Sequence, residues 1–213
     1  KIGMDPIELF LKNLQWAPEA RRESYVHQFK KAAEMAEWSK RWHRRGDSGS
    51  GSIKRGLGVG ICTWGGAGHL SNCRATIHPD GSVQIELGSQ DLGTGTRTII
   101  AQVAAETYGL PVEAVKVSLG DNMFPSSNAS GGSTTVGGVC SSTRIATVNA
   151  LDKLFEKVAP TLNTTPDKLE AVGGKIQIKG DASKSLAWNA ACQKLGTQSI
   201  TEMGQNDPKN PKG

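Results

Sequence analysis

The spacing of apolar positions changes along this chain, and the changes divide it before any motif is read. Near the start the spacing is helical. Asp5-Pro6-Ile7-Glu8 has the makings of a helix start, with Asp5 as cap, Pro6 at the first helical position and Glu8 closing a capping box. That helix is predicted to run to about Asn13. After Pro18, the residues Val26, Phe29, Ala33 and Ala36 recur at intervals of three and four, which predicts a second helix ending near Trp42. Asp47-Ser48-Gly49-Ser50-Gly51-Ser52 then reads as a flexible joint. We therefore expect an N-terminal helical connecting segment over residues 1–46 and a second domain over residues 53–213.

Past the joint the pattern alternates. Leu57, Val59 and Ile61 between glycines predict one strand. Cys73, Ala75 and Ile77 alternate with polar residues, Pro79-Asp80-Gly81 is a turn, and Val83, Ile85 and Leu87 alternate again, so a β-hairpin is expected with Ile77 and Val83 entering a core. Helical spacing returns over residues 96–108 and stops at Gly109. Val115, Val117 and Leu119 predict a further strand, and a long helix is expected from about Thr135 to Pro160. Ile176 and Ile178 suggest another strand, followed by a short helix over residues 185–195. Residues 206–213 read as a polar loop, and both ends of the chain look like those of a fragment or split subunit. The order of elements predicts an α+β fold with a mixed sheet, a hairpin and packed helices.

Composition narrows the function classes. A chain of 213 residues with 37% hydrophobic and 21% charged residues is ordinary for a globular protein, and no apolar run approaches a bilayer span of about 20 residues. The net charge of +5 raises the question of nucleic acid, but the basic residues gather at Lys30-Lys31 and residues 40–45, near a predicted helix end, where the dipole favours cations. No nucleic-acid partner is expected. Cys62, Cys73, Cys140 and Cys192 are too scattered for a metal site, and their thiols fit a reducing compartment. His69 and His78 are isolated and read as loop or turn residues, and the five tryptophans as packing residues.

Two Gly/Ser/Thr loops carry the candidate chemistry. Residues 90–98 (Gln-Asp-Leu-Gly-Thr-Gly-Thr-Arg-Thr) and 130–135 (Ser-Gly-Gly-Ser-Thr-Thr) each precede a predicted helix. The first amides of a helix lack internal partners and attract phosphate oxygens, glycines admit close approach, and the hydroxyls add donors. Neither loop has the lysine of a phosphate-binding P-loop, nor does either complete a dinucleotide fingerprint. Each alone reads more readily as a helix cap, and only the two together weigh evenly between cap and binding site. A non-catalytic anion- or nucleotide-binding module is therefore the alternative reading.

The run Gly88-Ser89-Gln90-Asp91-Leu92-Gly93-Thr94-Gly95-Thr96-Arg97-Thr98, with Ala101-Gln102-Val103-Ala104-Ala105-Glu106, resembles the xanthine dehydrogenase and aldehyde oxidoreductase family, in its molybdenum-cofactor-binding large subunit. Lys1 through Asn13, Leu119-Gly120-Asp121 with Pro125, and Ser130-Gly131-Gly132-Ser133-Thr134-Thr135 agree in order and spacing. The Gln-Asp-Leu-Gly-Thr-Gly form resembles the bacterial aldehyde oxidoreductases most. The resemblance implies hydroxylation of an aldehyde or an N-heterocycle carbon with oxygen taken from water. It implies a molybdenum–molybdopterin cofactor, expected in the cytosine dinucleotide form, with iron–sulfur clusters and FAD on other subunits or domains. The implied partners are the remainder of the molybdenum subunit, an iron–sulfur subunit, an FAD subunit and a small aldehyde or heterocycle. The implied cofactor-binding residues are Gln90, Asp91, Gly93, Thr94, Gly95, Thr96, Gly131, Gly132, Ser133, Thr134 and Thr135. Thr94 stands where eukaryotic members carry glutamine. The family's catalytic glutamate and first cofactor loop have no counterpart in this chain; Glu86, Glu106 and Glu113 read as structural or solvated, and no catalytic residue or metal ligand is assigned. A cytoplasmic location is expected, with a periplasmic one, reached by export with a partner subunit, as the alternative.

Overall fold

The computed structural model describes residues 2–62, 64 and 67–209. They form two compact units, Lys1–Trp64 and Gly65–Gly213. In the first, helix α1 (Pro6–Lys12) begins as expected, with Asp5 accepting a hydrogen bond from the Ile7 amide at 2.7 Å. The same carboxylate accepts from the Trp38 indole at 2.8 Å. That buried tryptophan explains a departure from the expected single second helix. Helix α2 (Glu19–Met35) stops, Glu37 turns left-handed, and a short helix α3 (Trp38–Arg41) restarts so that Trp38 reaches Asp5. Ile7, Phe29 and Trp38 make a small core, with Phe10 stacked on Phe29 at 5.3 Å.

The strand expected at Leu57, Val59 and Ile61 does not form. With glycines between them, Leu57 and Val59 have side chains on one side only, and these pack on the small helical core without a partner strand. The segment from the Asp47–Ser52 joint to Trp64 stays with the first unit.

The second unit holds the predicted hairpin. Strand β1 (Ser71–Ile77) pairs antiparallel with β2 (Val83–Leu87), placing Ile77 opposite Val83 and Arg74 opposite Glu86. Every second residue of both strands is buried, while Arg74 and Glu86 form an ion pair at 2.7 Å on the other face. After β2 the chain crosses over through α4 (Thr96–Tyr108) to β3 (Val115–Leu119), which pairs parallel with β2. The long helix is α5 (Thr135–Val158), continued by a 3-10 turn over Ala159–Leu162. A second sheet of β4 (Leu169–Val172), β5 (Lys175–Ile178) and β6 (Asp181–Ala187) precedes α6 (Trp188–Cys192). The short helix is thus later and shorter than expected, since residues 185–187 finish a strand. Gly109 joins this sheet to α4. It ends the helix at φ +63°, and a Cβ there would lie 2.6 Å from the backbone of Ala171 and Val172.

The largest departure is β7 (Ile200–Asn206), which pairs antiparallel with β1 along its whole length and completes the order β3-β2-β1-β7. Its sequence, Ile-Thr-Glu-Met-Gly-Gln-Asn, does not alternate in hydrophobicity, because the position packed against α5 is Gly204. A Cβ at Gly204 would overlap the Ser142 carbonyl and the Ala146 amide. Backbone contact therefore replaces side-chain packing.

The same close approach recurs at the start of α5. A Cβ at Gly68 would lie 2.7 Å from the Gly137 carbonyl carbon, and one at Gly138 would overlap the His69 ring. The His69 amide donates to Thr134 O at 3.0 Å, and Asn206 Nδ2 donates to His69 O at 2.8 Å. His69, expected as an ordinary loop histidine, is 7% exposed, and both ring nitrogens are buried without a partner. Burial pushes its pKa below the usual 6.5, the nearby Ala129 backbone opposing this only in part.

Two outcomes follow. Gly204→Ala forces α5 off the sheet and should cost about 1–3 kcal/mol by overpacking, read as a fall in the thermal midpoint of roughly 2–4 °C per kcal/mol; an unchanged midpoint would show that α5 is not seated on β7. Because burial lowers the His69 pKa, the unfolded chain takes up a proton more readily than the folded chain, so stability falls as pH drops below about 6.5. His69→Phe should flatten that acid-side slope relative to the parent chain in pH-dependent denaturation, and identical slopes would rule the effect out.

Candidate functional site

The two Gly/Ser/Thr loops lie at neighbouring ends of the main sheet. The first leaves β2 at Leu87. Gly88 passes close to the second segment, its amide donating to Pro125 O at 2.7 Å, and Ser89 is fully buried. Asp91 then folds back. Its carboxylate accepts from the Gly93 amide and from the Arg97 amide, each at 3.0 Å, and these bonds, the one from Arg97 foremost, hold its pKa below the ordinary carboxylate range. The opening of α4, expected to attract a phosphate, is thus capped by the chain's own anion. Gly95 precedes α4 at φ +77°, and Thr96 is buried with its hydroxyl 3.2 Å from that of Thr94. Arg97 turns away from the loop, donating from Nη1 to Val117 O at 2.6 Å.

The second loop is more open. Its flank is stitched to the start of β1, with Ser127 Oγ 2.9 Å from Ser71 Oγ and the Asn128 amide donating to Leu70 O at 2.9 Å. Gly132 and Ser133 both take left-handed backbone, at φ +60° and +57°. A serine there stores conformational strain of about 1–3 kcal/mol, and the surrounding bonds hold it. Thr134 Oγ1 donates to Gly131 O at 2.9 Å, and the Gly131 amide donates to Thr135 Oγ1 at 3.3 Å. A Cβ at Gly131 or at Gly132 would meet nothing within 4 Å.

Hydrogen bonds join the loops. The Ser130 amide donates to Gln90 Oε1 at 2.9 Å, Ser130 Oγ donates to Gln90 O at 2.7 Å, and Ser89 Oγ lies 3.3 Å from Ser130 Oγ. Between the loops opens a cleft of about 490 Å³. Thr94, Ser130, Gly131, Gly132, Ser133 and Thr135 form its polar lining, and Leu92 and Val136 its apolar flanks. No lining residue is charged.

Of the residues picked out in the sequence, Thr94, Gly131, Gly132, Ser133 and Thr135 line this cleft. Gln90, Asp91, Gly93, Gly95, Thr96 and Thr134 do not; they shape the loops that do. Val136 lay outside the candidate loops, and Leu92 and Ser130 lay within them without being singled out. Leu92 is 67% exposed, and its only signal was an apolar residue amid glycines with no place in any helical or strand period. Elsewhere, burial pushes the Cys73 and Cys192 thiols up to about 12, so they remain protonated. Among the described residues no group of His, Cys, Asp and Glu could hold a metal ion, and no helix is long and apolar enough to cross a membrane.

Comparison with known proteins converges on one group. The family model of the molybdopterin cofactor-binding domain matches residues 31–212. The aldehyde oxidoreductase molybdenum-binding subunit PaoC of Escherichia coli O157:H7 is 32% identical over 214 residues, an alignment that takes in 96% of this chain and 28% of that protein. The carbon monoxide dehydrogenase large chain of Hydrogenophaga pseudoflava is 25% identical over 226 residues, covering 89% of this chain and 28% of its own length. Among solved structures, quinoline 2-oxidoreductase from Pseudomonas putida 86 superposes with a TM-score of 0.62 at 16% identity, over 67% of this chain and 20% of that one. That likeness supports the α+β fold. The chain belongs to the molybdopterin cofactor-binding domain family, within the molybdenum-binding subunits of the xanthine dehydrogenase and aldehyde oxidoreductase group.

Proposed function

We propose that this chain forms one wall of the cofactor site in a molybdenum hydroxylase that oxidises aldehydes to carboxylic acids or hydroxylates N-heterocycles with water. The observation that carries the reading is the cleft between the two loops, whose glycine backbone leaves open the space that a Cβ would fill. Its size and its hydroxyl-rich lining fit a pterin with a phosphate arm. When bound, the cofactor would supply the redox chemistry. The residues of this chain bind and orient it: Thr94 and Thr135 through hydroxyls, residues 131–133 through backbone, and Leu92 and Val136 by excluding water from two sides.

With no charged side chain in the lining, this wall acts on an anion through dipoles and hydroxyls only. The cytosine dinucleotide form of the cofactor, the iron–sulfur and FAD partner subunits, an aldehyde substrate and a cytoplasmic location remain part of this proposal. The aldehyde substrate is supported by the likeness to the aldehyde oxidoreductase subunit, and the other three by the resemblance of residues 88–98 and 130–135 to the bacterial members of the family.

Gly131 offers a clean test, because its backbone lies outside the left-handed region and a Cβ added there would meet nothing within 4 Å. In the complete subunit, Gly131→Leu should lower molybdenum and pterin content about tenfold or more, with the thermal midpoint of the cofactor-free protein unchanged. Full loading of that variant would overturn the assignment of the cleft. Absence of cytidine monophosphate on mild acid hydrolysis of the loaded parent protein would overturn the dinucleotide form.

A further inference from the structure

We infer that Gln90 is a positioning residue, which holds the second loop in its binding shape before any cofactor arrives. This rests on the cleft being the cofactor site, and it gives Gln90 a role distinct from ligation. The side chain does not line the cleft. Its hydrogen-bonding groups are committed to the protein: Oε1 accepts from the Ser130 amide at 2.9 Å, and Nε2 donates to Gly88 O at 3.0 Å. Its backbone carbonyl accepts from Ser130 Oγ at 2.7 Å. Gln90 thus grips Ser130, a residue 40 positions away, through both the amide and the hydroxyl of that one residue.

The position of Ser130 is what makes this grip consequential. It lines the cleft and is followed directly by Gly131 and by the two left-handed residues Gly132 and Ser133. A non-glycine residue in left-handed backbone relaxes unless its neighbours fix it. From the far side the loop is fixed by α5, through Thr134 and Thr135. On the near side, the bonds joining it to the first loop run to Gln90 and, more weakly, to Ser89. Removing the Gln90 side chain leaves the Ser130 amide without its acceptor and frees that end of the loop. A loop that must be ordered on binding then holds its ligand less tightly, since the ordering cost falls at the binding step.

The test separates positioning from ligation by measuring the complete subunit without and with cofactor. In the cofactor-free subunit, Gln90→Ala should raise amide hydrogen exchange in residues 130–135 by about tenfold, the loss expected from one well-made hydrogen bond, while exchange in β1 and β2 stays unchanged. In the loaded subunit the same variant should lose pterin several-fold faster. Gln90→Glu, which keeps an oxygen facing the Ser130 amide but loses the donation to Gly88 O, should exchange at an intermediate rate. Ser130→Ala, which removes the bond from Ser130 Oγ to Gln90 O, should shift both readouts in the same direction as Gln90→Ala.

Faster cofactor loss with unaltered exchange in the cofactor-free protein would make Gln90 a ligand and overturn the inference. Altered exchange with unaltered cofactor retention would overturn it too. Gly131→Leu keeps the two failures apart, since it fills the cleft and leaves Gln90 intact. If that variant loads normally, the cleft reading falls; if it fails to load while Gln90→Ala changes neither readout, the role given to Gln90 falls.

Discussion

The second unit depends on how closely α5 lies against backbone. A helix normally meets a sheet through interdigitated side chains, with the axes about 10 Å apart. Here glycine removes that layer where Gly204 of β7 meets the Ser142–Ala146 turn, and the segment leading into β1 approaches the helix as closely, Gly68 against Gly137 and His69 against Gly138. Such contacts tolerate no added atom, so they fix the helix along its axis as well as across it. The N-terminal turn of α5 is therefore held in place, and with it the end of the second loop.

This rigidity explains how a cleft without charge can be specific. Lysine and arginine recognise anions over a distance and through flexible stems, whereas hydroxyls and backbone amides act only where they are placed. Asp91 and Gln90 do the placing for the first loop and for the junction between loops. Arg97, the one nearby cation on the first loop, is spent on a carbonyl of β3. On the proposed reading, recognition on this wall is a matter of shape and dipole direction, and it is only as good as the backbone is fixed.

Much of this was legible in the residues. The hairpin, α4, β3 and α5 each follow from a clear period and a stop signal, and their bounds agree with the structure closely. What escaped was set by contacts between distant parts of the chain. Strand β7 lacks alternation because its packed position is a glycine against a helix, and α2 breaks because Trp38 answers Asp5, a residue 33 positions earlier. The loops were found by composition, but composition does not say which polar groups face the cleft and which face one another. Asp91 and Thr96 satisfy local partners, and Leu92 reaches the cleft with no polar signal at all.

The pairing of β7 with β1 also governs the order in which the molecule is made. Thr76 meets Thr201, 125 positions later in the sequence, so the strand that seats α5 is made well after the hairpin it completes. Contacts of such long range form slowly, because the loop they close must be ordered before they give anything in return. Until β7 arrives, Asn206 cannot reach His69, and the start of α5 has lost one of its anchors. The hairpin and α4 are local and can assemble early. The space between the two loops, built on both, takes its final shape only once β7 is in place.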